Sequence, residues 1–470
     1  MGGYFTIGEI KTRPGVYKRY ENVGIQTAGA EEKVAACVVT GNWGPLNIPV
    51  TVENGTDIST IIGSGTGADV LTEIFAYGPA ECVVVRAGSG GTKATLDLED
   101  TATTAAAVIT LSAKYPGNRA FSVTVKPSLD DANVKQAFLY EGTKLLETRS
   151  FYAETGVSEV EAFVAAFADS KYLDVTKKAE GNGNVATVTQ EAFTAGTNPT
   201  VNAEAYSAAL DAIESEVWHY ICCDSNETTI HALLAAFVDR IHDDGAYGRA
   251  VIGEPHTVSL ETRMQHAKAY NDEKVIYVLN SWEGTNGVTY EGYLAAARLC
   301  GMAAAKPSSE SLTHDVVKGA AKLSEGLTNS QIKKAIKAGC IVFSLSKNRQ
   351  VIIEKGINTL VTPSGNQDEG WKKIKRTDVR FELMDRIEKT VEPMIGDIDN
   401  DTNGRAAVMA AAQRVIDAMV GEGKLISGTC SLDTSNKSEG DSAWFVISVD
   451  DTDSIETIYL TFRFRFSQYA

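Results

Sequence analysis

A chain of 470 residues, 43% of them hydrophobic, is long enough for about three domains with ordinary cores. Its formal charge of −17 argues against direct nucleic-acid binding, which needs a basic face to displace counterions, and keeps a concentrated protein soluble. No apolar run approaches the roughly 20 residues of a membrane span, so no membrane insertion is expected.

The opening MGGYFTIGEIKTRPGVY lacks the basic region and apolar core of a signal peptide. Residues 1–30 carry no helical period. Arg13-Pro14-Gly15 marks a turn, and Val16–Tyr20 reads as a short strand, so this stretch is an extended arm rather than a domain. Val34–Thr40 is a continuous apolar strand of the kind buried on both faces, closed by Gly41-Asn42-Trp43-Gly44-Pro45. A helix over Ala68–Tyr77, with Val70, Leu71, Ile74 and Phe75 on one side, leads to a second buried strand at Cys82–Arg86. Strand, helix and strand indicate an α/β layer.

Residues 92–197 change character: Thr, Val and Gly rise and turn signals come often. Glu141-Gly142 between QAFLY and TKLLE is a hairpin signal. Gly181-Asn182-Gly183-Asn184 is a loop tip, and one helix, about Val157–Ala168, interrupts the strands. This stretch reads as a mostly β insertion.

The α/β pattern returns from Asn202. A helix bearing Tyr206, Ala209, Leu210 and Ile213 precedes a strand at Trp218–Cys223. Helices at Thr228–His242, Leu260–Tyr270, Tyr290–Met302 and Asn329–Ala338 alternate with strands at Ala250–Ile252 and Val275–Leu279. Cys340–Ser346 is expected to pair with Gln350–Glu354. Pro363–Gln367 is a linker, followed by helices at Val379–Val391 and Arg405–Val420 and a strand at Ala443–Val449. The predicted fold is a multidomain α/β protein. It has an extended N-terminal arm (1–30), a mixed doubly wound α/β domain (31–91 plus 198–362), the β-rich insertion (92–197) and an α+β C-terminal domain (363–470).

The chain closes on IYLTFRFRF. Ile458, Leu460, Phe462, Phe464 and Phe466 alternate with Tyr459, Thr461, Arg463 and Arg465, the period-two pattern of a strand with one apolar face. Such a strand either completes its own domain's sheet or adds to the sheet edge of a neighbour.

No catalytic constellation emerges. His231 and His242 lie eleven positions apart on one helix, about 16 Å of rise, too far to share an ion. The odd, dispersed set of seven cysteines (Cys37, Cys82, Cys222, Cys223, Cys300, Cys340 and Cys430) reads as reduced, buried thiols made in a cytoplasm. Gly63-Ser64-Gly65-Thr66-Gly67 before a helix is neither a Walker loop nor a dinucleotide fingerprint, and Asp69 is explained by capping or the helix dipole. Asp399, Asp401, Asn403 and Gly404 match half of a calcium loop, but its twelfth position, a bidentate Glu, is Ala410. No G-x-S-x-G elbow is present. No metal and no cofactor are expected, and a structural protein is favoured over a soluble α/β enzyme with an unrecognised site.

The order of short motifs is informative. Arg13-Pro14-Gly15-Val16-Tyr17 is followed by Tyr115-Pro116-Gly117-Asn118-Arg119, then Leu327-Thr328-Asn329-Ser330, then Lys337–Val342. Met394–Asp401 and Asn403-Gly404-Arg405 come last. In this order and spacing, over nearly its full length, the chain resembles the sheath proteins of contractile phage tails, especially those of Gram-positive bacteria and phage-tail-like bacteriocins. The resemblance implies a structural subunit that stacks as six-membered rings around a tail tube. It implies assembly in a metastable extended state and contraction on a baseplate signal, driving the tube through a cell envelope without nucleotide. The implied partners are other copies of the chain, the tube protein, and baseplate and tail terminator proteins. The implied location is a virion tail or bacteriocin particle assembled in a bacterial cytoplasm. The β insertion would face outward and the helical C-terminal unit would face the tube. Val16, Tyr17, Tyr20, Ile458, Leu460, Phe462, Phe464 and Phe466 would join subunits by strand exchange. The sheath of a related contractile injection or secretion system is the alternative.

Overall fold

The computed structural model describes residues 32–131 and 133–465. Val16, Tyr17 and Tyr20 of the expected arm, and Phe466, lie outside them. The described chain divides into two units: Glu32–Val379 with the segment from Asp453, and Arg380–Thr452.

In the larger unit, β1 (Ala35–Val39) reads AACVV and is buried throughout. Ala35, Cys37 and Val39 enter the core on one face of the sheet, Ala36 and Val38 the core on the other, as strand alternation requires. β2 (Pro49–Glu53), α1 (Thr66–Phe75) and β3 (Glu81–Arg86) follow. β3 is parallel to β1, and β2 lies antiparallel on its outer side.

The chain then leaves the layer. Its next elements are β4 (Thr95–Glu99), β5 (Ala107–Ala113), β6 (Phe121–Pro127), β7 (Lys135–Glu141), β8 (Lys144–Phe151), α2 (Glu159–Ala166), β9 (Leu173–Lys177) and β10 (Val188–Ala192). They make two antiparallel sheets, ordered β4-β5-β9 and β10-β6-β7-β8. Ile109, Leu111, Val123, Leu139 and Phe163 share one core between them. The β7–β8 hairpin turns at Gly142, whose φ of 56° a β-carbon disfavours.

Trp43 joins this core from the turn after β1. Its ring packs edge-on against Tyr115 and Phe121, with the Arg119 guanidinium 4.8 Å over its face. Arg119 forks onto Glu141 and donates to the Ser59 carbonyl, while Arg86 donates to the carbonyls of Gly41, Gly44 and Pro116. Entry and exit of the insertion run side by side, bridged at Ser89–Thr200 and Thr92–Thr197.

The layer resumes with α3 (Ala203–Ile213), β11 (Tyr220–Cys223), α4 (Thr228–Asp243), β12 (Arg249–Gly253), α5 (Leu260–Tyr270) and β13 (Val275–Val278). β14 (Trp282–Gly284), β15 (Thr289–Tyr290), α6 (Tyr293–Ala305), β16 (Ala320–Leu323) and α7 (Asn329–Lys337) come next. Then come β17 (Cys340–Ile341), β18 (Phe343–Leu345) and β19 (Val351–Ile353). The main sheet is ordered β17-β13-β12-β11-β1-β3-β2, parallel except for β2. α6 is buried on every side from Ala295 to Ala304, and its small residues permit this. At Gly301 a β-carbon would come within 2.1 Å of the Ile74 carbonyl oxygen of α1.

The expected strand Cys340–Ser346 is two strands. β17 joins the parallel sheet, whereas β18 pairs with β19. The Asn280 side chain makes the break: its Oδ1 accepts from Phe343 N at 2.7 Å and its Nδ2 donates to Phe343 O at 2.9 Å. An amide side chain thus stands in for a neighbouring strand.

α8 (Ile374–Val391) begins five residues earlier than its apolar period suggests. Asp378, near its start and buried, explains the extension. It meets Lys33 Nζ at 2.7 Å, Arg249 NH1 at 2.6 Å and the Tyr220 hydroxyl at 2.5 Å. Burial pushes this carboxyl up, but the Arg249 and Lys33 charges and the hydrogen bonds win, so it is held below its ordinary value.

In the smaller unit, the rest of α8 is followed by α9 (Thr402–Gly421), β20 (Leu425–Leu432) and β21 (Phe445–Asp451). The sequence leaves β20 unrecognised. β20 and β21 pair antiparallel, and α9 packs on β20. At Gly428 a β-carbon would come within 2.8 Å of Ile416 Cγ2, so glycine sets how near helix and hairpin lie. Of the closing strand expected at Ile458–Phe466, residues 458–465 pair with no strand of the chain among those described.

Candidate functional site

The closing stretch leaves its apolar side chains in solvent. Ile458, Leu460, Phe462 and Phe464 are between 71% and 92% exposed, and the Phe462 and Phe464 rings stack on one side of the chain. A run of exposed side chains at every second position, with free backbone amides and carbonyls, is a template for strand pairing.

The smaller unit carries an open-edged hairpin. Its sheet is the two-stranded β20–β21 hairpin, so each strand has an outer edge without a partner strand among the described residues. Ile426, Trp444, Val446 and Ile447 on it are exposed. Beside it runs a groove of about 460 Å³ lined by Ile387, Val391, Ile395, Val408, Phe445 and Ile447, with Glu388 and Glu392 among its walls. Arg386 donates to Glu422 at 2.8 and 2.9 Å, and Lys424 bridges Glu422 and Glu382, each at 2.7 Å. The Arg386 hydrogen bonds, then Lys424, hold the Glu422 carboxyl down at about 2. This ion network fixes the groove-bearing helix to the turn after α9.

The crevice where a doubly wound sheet binds ligands lies at the carboxyl ends of its strands. Here a polar hollow of about 420 Å³ is lined by Thr40, Asn42, Ser64, Thr66, Asn118 and Asn198 among others. Gly63–Gly67 leads into it, and Gly65 caps α1 with no side-chain hydrogen bond. Asp224, just past β11, accepts from Thr40 N, Thr40 Oγ1, Thr66 Oγ1 and the Tyr206 hydroxyl, at 2.9, 2.6, 2.6 and 2.6 Å. A carboxylate bonded to the first residue of α1 puts negative charge where a phosphate would need to sit. The glycine-rich stretch is therefore a turn closed on the chain's own acid. Asp69 lies in the first turn of α1, where the dipole favours it.

His231 Nε2 bonds Ser225 O at 2.9 Å, and burial lowers its pKa. The His242 ring lies edge-on to Tyr247. No group of three or more potential ligands gathers among the described residues. Cys37, Cys82, Cys222, Cys223, Cys300 and Cys340 are buried free thiols, and Cys430 is half-buried. No helix among the described residues is long and apolar enough to cross a membrane.

In the Asp399–Gly404 turn, Asp401 caps α9 by accepting from Gly404 N at 2.7 Å, and Asn400 donates to the carbonyls of Gly440 and Ser442. Asp401→Ala is expected to lower stability by about 1 kcal/mol, the usual cost of a lost cap. Millimolar calcium should leave the melting temperature of the unmodified chain where chelator leaves it. A calcium-dependent rise of many degrees, abolished in the variant, would instead make the turn a cation site.

Comparison with known proteins shows the family. The model of the phage tail sheath protein central domain matches residues 200–359, and that of the phage tail sheath protein beta-sandwich domain matches residues 89–198. The chain is similar to the phage-like element PBSX protein XkdK of Bacillus subtilis (strain 168). The two are 22% identical over 411 residues, covering 84% of this chain and 83% of that protein. Its fold is similar to that of a sheath tail protein from Desulfitobacterium hafniense, with a TM-score of 0.71 at 18% identity, covering 93% of this chain and 100% of that one. The helical sheath of the anti-feeding prophage in its contracted state is also similar, with a TM-score of 0.56 at 12% identity, covering 97% and 99%. A mixed α/β multidomain chain with a β-sandwich and these relatives is a structural protein of phage-type tails. It belongs to the phage tail sheath protein family.

Proposed function

We propose that this protein is the structural subunit of a contractile tail sheath. It polymerises around a tail tube and contracts to drive that tube through a target cell envelope. The observation that carries this reading is a mismatch within one chain. Residues 458–464 present an alternating apolar stretch to solvent, while the β20–β21 hairpin has edges without strand partners among the described residues. Both features are liabilities in a free monomer, and both disappear if one copy's arm lies along another copy's hairpin.

The magnitudes are sufficient. Burying Ile458, Leu460, Phe462 and Phe464 is worth roughly 1.5–3 kcal/mol each before the cost of ordering the arm. Each backbone hydrogen bond adds about 0.5–1.5 kcal/mol net. Val16, Tyr17 and Tyr20 of the N-terminal arm, and Phe466, belong to the same exchange in this reading. Copies form six-membered rings, stacked helically, and rotate during contraction while the paired strands keep them tied. Partners would be the tube protein, the baseplate and the tail terminator, in a virion tail or bacteriocin-type particle assembled in the host cytoplasm. The likeness to the anti-feeding prophage sheath favours, as second reading, the same role in a related injection apparatus.

Negative-stain microscopy over a concentration series tests the proposal. Tubes or rings are expected. A small discrete oligomer at every concentration would overturn it.

The division into an arm (1–30), an α/β domain (31–91 plus 198–362), an insertion (92–197) and a C-terminal domain (363–470) makes its own prediction. Replacing 92–197 by a short Gly/Ser linker should leave a soluble protein that melts cooperatively, because entry and exit are adjacent. Trp43 must be changed to Ser in the same chain, since excision strips the rings that cover it. Arg86 keeps the Gly41 and Gly44 carbonyls. Complete loss of soluble folded product would count against these boundaries.

A further inference from the structure

The root of the arm is held by charge and almost nothing else. Asp453 Oδ2 lies 2.6 Å from Lys373 Nζ, and Glu456 Oε2 lies 3.2 Å from the same nitrogen and 3.7 Å from Lys355 Nζ. Thr313 Oγ1 donates to Glu456 Oε1 at 3.1 Å, and Lys375 Nζ donates to Ser454 Oγ at 3.0 Å. The apolar residues of this segment take no part: Ile455 is 84% exposed and Ile458 is 73% exposed. Beside the segment is a hollow of about 500 Å³ bordered by Lys306, Glu310 and His314. The neighbouring residue, Thr452, is fixed separately, its amide donating to Lys424 O within the smaller unit.

We propose that Asp453–Glu456 is an ionic latch that sets the length of the arm. Closed on Lys355, Lys373, Lys375 and Thr313, it lets the chain go free only from Thr457. Open, it frees four more residues, about 13 Å of extended chain. Apolar burial would survive salt, but ion pairs whose side chains are 12–37% exposed still reach solvent and are partly screened, the screening length falling from about 8 Å at 0.15 M to about 3 Å at 1 M. The latch is therefore releasable by modest forces or by competing ions. Its use rests on the reading of the arm as a strand shared between subunits, for a tether between moving subunits needs spare length when they separate. The latch itself is a property of the single chain.

The test is cleavage of the full-length monomer after Glu456 by a glutamate-specific protease. A closed latch holds that side chain away from the enzyme. In 50 mM salt, Lys355→Met with Lys373→Met should raise the cleavage rate about tenfold, the factor that about 1.4 kcal/mol of lost latch represents. Raising salt to 1 M should do the same to the unmodified chain, after correction by a free peptide spanning residues 450–462. The salt series stands by itself if the double variant folds poorly. Equal rates in the two chains at low salt, or a flat salt series, would overturn the latch. Tube formation is scored separately. A chain without its arm that still makes tubes sinks the strand-sharing reading and leaves the latch result intact.

Discussion

A chain ending at Glu456 melts as the full chain does and forms no tubes. That is the expected result of removing the arm, because the residues from Ile458 to Phe464 cover no core of their own chain. Surface changes of this kind normally stay within about 0.5 kcal/mol. Phe464→Lys in the full chain is the finer probe. It puts a charge on the apolar side of the strand, where burial against a neighbour leaves it unpaired. Monomer stability should be unchanged and polymerisation lost or shifted to far higher concentration. Deleting residues 1–20 should act in the same direction. Sedimentation and negative-stain grids read all three. Normal tubes from the shortened chains would remove strand sharing as the link between subunits, and a collapsed monomer would mean that the arm serves its own fold.

Asp378→Asn should cost about 3–5 kcal/mol, the usual penalty for leaving one side of a buried ion pair uncompensated. The amide keeps the shape but removes the negative charge that Lys33 and Arg249 share at this carboxylate. The pH dependence has a definite sign. The folded carboxyl is depressed, so its contribution is full above its unfolded value of about 3.9 and is lost as pH falls below that. The unmodified chain should therefore lose stability below about pH 4 more steeply than Asp378→Asn does. Denaturant melts at pH 7 and at pH 3 decide the matter. Parallel curves, or a loss under 1 kcal/mol at pH 7, would show the network to be incidental.

Much of the architecture was legible because its causes are local. β1 and β3 are unbroken apolar runs, and α4 repeats its apolar residues at three and four, so burial dictated both. The errors have tertiary causes. Nothing in CIVFSL announces that Asn280, sixty residues earlier, will cut the strand at Val342. The first turn of α8 looks polar, yet Thr377 and Asp378 are buried. β20 reads LISGTCSL, without clean alternation, and owes its place to α9 packing on it through the gap at Gly428. The pattern from Ile458 onward was plain, but a period shows that a strand wants a partner and not which chain supplies it. The groove beside the hairpin joins residues from two helices and both hairpin strands, so no window of sequence contains it.

The paired crossing at Ser89–Thr200 and Thr92–Thr197 has an evolutionary consequence. The chain enters and leaves the sandwich at one place, beside the Arg119–Ser59 and Arg86–Pro116 bonds. A module mounted this way can be exchanged, enlarged or dropped by recombination without redrawing the sheet it interrupts. In this protein the main obstacle is one indole, Trp43, lodged across the threshold.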